Sequence, residues 1–101
     1  MSATILRKTE GPDGRVTYDV DVGGPKLTIE LYPGDGSAGE RPWRADVTFV
    51  SSELTLADGG RDKHAALLAA ISREEAALTQ NPLPSVHWAD VIRALEQAGA
   101  F

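Results

Sequence analysis

Residues 15–32 read RVTYDVDVGGPKLTIELY. Two runs alternate apolar and polar side chains on either side of Gly23-Gly24. In the first, Val16, Tyr18, Val20 and Val22 share one face, and Arg15, Thr17, Asp19 and Asp21 share the other. In the second, Leu27, Ile29 and Leu31 point one way, and Lys26, Thr28, Glu30 and Tyr32 the other. A period of two is what a half-buried strand requires. The link between the runs sets their register. A two-residue turn at Gly23-Gly24 needs the amide of residue 25 as a donor, and Pro25 has none. A four-residue loop closed by Asp21 opposite Lys26 avoids the problem. It sets Val20 against Leu27, Tyr18 against Ile29 and Val16 against Leu31. The other face then pairs Asp19 with Thr28, Thr17 with Glu30 and Arg15 with Tyr32. Every apolar residue meets an apolar one, so local pattern and register agree.

Working outward, Ala3–Thr9 is expected to be a first strand, with irregular alternation, joined to the hairpin by a Gly11-Pro12-Asp13-Gly14 turn. Pro33–Pro42 (PGDGSAGERP) reads as an exposed loop. Trp43–Ser51 is expected to be a fourth strand, with Trp43, Ala45, Val47 and Phe49 inward. Leu54 and Leu56 continue the alternation, either past a bulge or as a short fifth strand.

The pattern turns helical after Gly59-Gly60. A first helix is expected from Arg61 to about Thr79, capped by Asp58 or Gly60, with Leu67, Leu68, Ile71 and Leu78 as its apolar stripe. Asn81-Pro82-Leu83-Pro84 breaks the chain. A second helix is expected over Val86–Ala98, capped by Ser85, burying Trp88, Val91, Ile92 and Leu95. Gly99 stands where a terminating glycine belongs, and Phe101 is expected to fold back onto the body. The reading is one α+β domain over residues 1–101, with a sheet half (1–58) and a helical half (59–101). A four- or five-stranded antiparallel meander carries two C-terminal helices on its one apolar face. That element order excludes a doubly wound nucleotide-binding fold, which alternates strands with helices.

Composition narrows the chemistry. The 101 residues hold 10 Lys and Arg against 15 Asp and Glu, a net charge of −5, and no Cys. Absence of Cys excludes disulfides, zinc–thiolate sites and a cysteine nucleophile. No stretch approaches the roughly 20 apolar residues of a membrane span, and the N-terminus lacks the order of a signal peptide. The expected location is the cytoplasm. A net negative chain without a basic stripe argues against nucleic-acid binding.

The candidate motifs are weak. Gly34–Gly39 is glycine-rich, yet no Gly-Lys-Ser/Thr follows it and a strand, not a helix, comes next. His64 and His87 each lack a histidine four residues on. Ser85, His87 and Asp90 lie within one helical turn, whereas a catalytic triad converges from separate elements. Asp19, Asp21, Glu30 and Asp46 gather on the outer strand face, but Lys26 and Arg44 interleave with them and no calcium-loop pattern is present. No catalytic, metal or cofactor site is expected. The functional expectation is a non-enzymatic protein-interaction module of unknown pathway. It binds an unidentified protein partner through the acidic open sheet face and the 33–42 loop, with Asp19, Asp21, Glu30, Tyr32, Arg44 and Asp46 as contacts. Two alternatives stand beside it. One is a small-molecule-binding or enzymatic domain using a sheet–helix cleft near Trp43, Trp88 and His87. The other is a self-assembling subunit of a larger complex, whose exposed edges pair with copies of itself. Separately, the Ala-rich first helix offers a candidate homodimer contact.

Overall fold

The structure, a computed structural model, describes residues 3–34, 42–80 and 83–101. Five strands form one antiparallel sheet in sequence order: β1 (Thr4–Glu10), β2 (Val16–Asp21), β3 (Lys26–Pro33), β4 (Trp43–Phe49) and β5 (Leu54–Gly60). Three helical segments follow: α1 (Lys63–Ser72), α2 (Glu74–Leu78) and α3 (Trp88–Gln97). The fold is therefore the expected α+β meander with its helices C-terminal, and the fifth strand is real.

The hairpin of β2 and β3 pairs Asp21 with Lys26, Val20 with Leu27, Tyr18 with Ile29 and Val16 with Leu31, as the alternation requires. The Val22 amide donates to the Pro25 carbonyl at 3.0 Å, closing the four-residue loop without a proline donor. Register passes on to β4, where Leu27 meets Phe49 and Ile29 meets Val47. It passes again to β5, where Val47 meets Leu56. These inward side chains join Ala66, Leu67, Ala70, Val91 and Leu95 of the helices in one buried core.

Strand β1 explains its own irregular pattern. Ile5 pairs with Val20, but Arg7 pairs with Asp19, so Leu6 is an extra residue in the ladder. A bulge of this kind shifts the parity of the strand. Ile5 and Lys8 therefore share the inner face, while Arg7 and Thr9 join the outer one. Lys8 lies beside Tyr18, its Nζ 5.9 Å from the ring centre.

The helical half departs from the sequence reading in four places. First, the sheet does not end before Gly59-Gly60, because β5 runs through both. Neither Asp58 nor Gly60 caps the first helix. Asp62 does so, its carboxylate accepting from the Ala65 amide at 2.7 Å. Second, the expected helix to Thr79 is two helices that meet at Arg73. The Arg73 guanidinium donates to Asp58 at 2.9 Å, tying the junction to β5. Third, the buried stripe is Ala66, Leu67 and Ala70. Leu68 and Leu78 are 44% and 47% exposed. For α1 the reason is Gly60. A Cβ there would lie 2.5 Å from the Ala66 amide nitrogen, so strand and helix backbones meet with only small side chains between them. Fourth, the last helix begins at Trp88, with His87 at the N-cap and no side-chain cap; Ser85 is exposed and caps nothing.

The end of α3 is built as expected. Gly99 takes a φ of +77°. Its amide donates to the Glu96 carbonyl at 3.0 Å and the Ala100 amide to Leu95 at 2.9 Å, which is a Schellman motif. Ala100 is buried, while Phe101 turns back only as far as His64 and stays exposed.

Candidate functional site

The helices cover one face of the sheet. The other face is left open by the described residues and is assembled from every second residue of five strands. Its best-connected region comes from β2, β3 and β4. Arg15 Nη1 donates to Glu30 Oε1 at 2.6 Å, and the same guanidinium lies 4.4 Å from the centre of the Tyr32 ring. The Thr17 hydroxyl donates to the other Glu30 oxygen at 3.5 Å. The Tyr32 hydroxyl donates to the Asp46 carboxylate, at 3.2 Å to Oδ1 and 3.3 Å to Oδ2. On the next strand Arg44, paired with Tyr32 and Gly59, lies flat across the bare glycine; a Cβ at Gly59 would be 3.1 Å from Arg44 Nη1. Arg15, just ahead of β2, thus forms a row with Tyr32 and Arg44, with Glu30 and Asp46 in the row behind.

Burial, and after it the neighbouring Asp46 charge, push the Tyr32 hydroxyl above its ordinary range, so it is a proton donor at neutral pH. Arg15 and Tyr32 also wall a groove of about 600 Å³ with Pro12, Asp13, Pro33 and Gly34.

Four of the six expected contact residues belong to this cluster: Glu30, Tyr32, Arg44 and Asp46. Asp19 lies on the same face but one row away, where its carboxylate accepts from Thr28 at 3.3 Å. Asp21 serves the turn instead. It accepts from the Gly23 and Gly24 amides, both at 2.9 Å. Those two bonds, Gly24's first, hold its carboxyl below the usual carboxylate range. Arg15 and Thr17 were not among the expected contacts, although the hairpin register already set them beside Tyr32 and Glu30.

The face is also less acidic than its carboxylates imply. Arg7, Arg15, Lys26 and Arg44 stand against Asp19, Asp21, Glu30 and Asp46, four charges of each sign. The net negative charge of the chain lies elsewhere. The part of the 33–42 loop from residue 35 to residue 41 lies outside the described residues.

The expected cleft near Trp43, Trp88 and His87 is not one place. Trp88 packs edge-on against Phe49, with ring centres 6.2 Å apart, and its Nε1 donates to Glu74 at 3.1 Å. Trp43 is at the other end of the same strand, about 20 Å away at the usual rise per residue. His87 is exposed at the start of α3. Among the described residues no side-chain hydrogen bond joins Ser85, His87 and Asp90, whose one link is the Asp90 amide donating to the His87 carbonyl at 3.0 Å, and no group of three or more His, Cys, Asp or Glu is placed to hold a metal ion. No helix among them is long and apolar enough to cross a membrane.

The fold and this face define a two-layer α+β domain with one sheet surface uncovered by the described residues. Comparison with family models, with curated proteins and with solved structures gives no match for the chain.

Proposed function

We propose that the chain is a non-enzymatic protein-interaction module that binds its partner with the open face of the sheet. The observation that supports this is the row Arg15–Tyr32–Arg44. Tyr and Arg are the side chains that most often dominate binding energy in protein interfaces. Here Tyr32 and Arg44 stand on adjacent strands, and Arg15 stands immediately before a third. Hydrogen bonds and stacking already hold Arg15 and Tyr32 in one geometry. A partner that uses this geometry loses little side-chain entropy in binding. Because the charges of the face balance, the partner surface is of mixed charge, and affinity depends only modestly on salt.

The test is affinity capture from a lysate of the source cell with the native chain and with Tyr32→Ala/Arg44→Ala. The reading expects a protein partner retained by the native chain and lost by the variant, with thermal unfolding of the variant within a few degrees of native. Asp21 is left intact, since changing it disturbs the turn. A partner retained by both chains, or by neither, overturns the assignment of this face. A second reading, self-association, is favoured by the exposure of Leu68 and Leu78 on neighbouring helices. Solution mass measured across a hundredfold range of concentration separates it, since only self-association makes the mass rise.

A further inference from the structure

We infer that the groove lined by Trp43, Asp62, Lys63, His64 and Phe101 is a binding site for a small aromatic carboxylate. It lies on the helix side of the sheet, at the end of β4, and does not share a residue with the open face. Its volume is about 340 Å³. That is at the lower end of the range for small-molecule sites, about 300–1,000 Å³.

Three backbone devices bring its walls together. The first is the pairing of Trp43 with Gly60. Because Gly60 has no side chain, the first turn of α1 rests directly on the end of β5. This sets Lys63 over the indole, with Nζ 4.9 Å from the ring centre. The second is the Asp62 cap, which fixes where α1 starts and so where Lys63 and His64 leave the helix. The third is the Schellman motif at Gly99, which buries Ala100 and turns Phe101 against His64, with ring centres 5.0 Å apart and planes at 68°. Residues from β4, from the start of α1 and from beyond α3 therefore meet at one place.

The chemistry of the walls selects the ligand. Trp43, His64 and Phe101 offer ring faces and edges, which favour a flat aromatic guest. Lys63 is half-buried, and among the described residues no carboxylate comes within hydrogen-bond or ion-pair distance of its ammonium. Among the described residues it is a cation held against an aromatic wall with no anion paired to it. Asp62 is the opposing group, yet its carboxylate is engaged by the Ala65 amide. A ring bearing one carboxylate matches both features: the ring against the aromatic walls and the carboxylate on Lys63.

The probe is benzoate, titrated into the whole chain while NMR follows the indole N–H signals of Trp43 and Trp88. Trp88 is the internal control, being at the far end of β4. A saturable shift of Trp43 and His64 with Trp88 unmoved is expected, and benzamide should bind more weakly. Lys63→Met should weaken benzoate about fivefold, the order of one charge pair at a half-exposed site. Asp62→Asn retains the cap, since Asn caps as well as Asp, and should tighten benzoate about twofold by removing the opposing charge. The inference is overturned if neither benzoate nor 1-naphthoate shifts Trp43 saturably. It is equally overturned if benzamide binds as well as benzoate, if Lys63→Met changes nothing, or if benzyltrimethylammonium binds in place of the carboxylate. Capture of a protein by the open face has no bearing on any of these outcomes.

Discussion

Strand β3 shows two surfaces made from one backbone. Toward the helices it presents Leu27, Ile29 and Leu31, each at most 1% exposed. Toward the open side it presents Lys26, Thr28, Glu30 and Tyr32, all exposed or half-buried. The inner surface is held by area removed from water and by close packing, where every methylene counts. The outer surface is held by directional contacts that water competes for: Arg15 to Glu30, Thr28 to Asp19, Thr48 to Thr55 at 2.9 Å. Contacts of that kind add little to stability but set side-chain geometry. The inner face thus keeps the fold together, and the outer face is free to be arranged for recognition.

The largest expected effect contrasts neighbours on that strand. Ile29→Ala should cost about 4 kcal/mol in urea unfolding, since a fully buried side chain is lost and a cavity left. Thr28→Ala, one residue away, should cost less than about 1 kcal/mol. Equal losses would mean that the outer face also carries the fold. Next comes Gly60→Ala, which places a Cβ against backbone that cannot yield easily. It should cost about 2 kcal/mol, with faster amide exchange confined to α1. A neutral result would break the account of the close approach between β5 and α1. Smaller again is Tyr32→Phe, expected to cost about 1 kcal/mol or less through the lost donation to Asp46.

The smallest effects are in pH dependence, and both belong to the outer face. The Tyr32 hydroxyl titrates above its ordinary range in the folded chain. Its share of stability is therefore whole below about pH 10 and is lost as pH rises through the raised value. Absorbance at alkaline pH should show a tyrosine titrating late, and Tyr32→Phe should remove that step. Asp21 acts in the opposite direction. Its share is whole above about pH 4 and is lost as pH falls through the lowered value. The Gly23 and Gly24 amide signals should report that acid transition, and Asp21→Asn should abolish it.

The two helical contacts show where legibility ended. For α3, the buried positions Val91 and Leu95 and the terminating Gly99 follow from spacing alone, because its large residues have room to enter the core. For α1 and α2, spacing pointed to Leu68 and Leu78 as well as Leu67; the molecule buries Leu67 but sets Ala66 and Ala70 beside it in place of the other two. A helix rich in Ala and Leu has more than one face that is apolar enough. The surface opposite decides between them, and here Gly60 admits only small side chains. The same limit applied to the start of α1. Asp58 and Gly60 were the caps expected from the sequence, and Asp62, which holds the position, was not among them; Asp58 is drawn to Arg73 by a contact fifteen residues away.

The candidate site divides along the same line. The pairing of Arg15 with Tyr32 and of Thr17 with Glu30 could be read from the hairpin, since alternation and the missing proline amide determine the register within a few residues. Tyr32 against Asp46 and Arg44 was not legible, because it depends on how β4 returns after the 33–42 connection. The sequence by itself determined the order of strands and helices, the register of the central hairpin and which side of it is apolar. Those properties rest on local periodicity and on one residue that cannot donate a hydrogen bond. Only the tertiary structure decided the parity of β1, the buried side of α1, the balance of charge on the open face and the meeting of Trp43, Lys63 and Phe101. Each of these depends on a bulge, a close approach or a chain reversal that joins residues far apart in sequence.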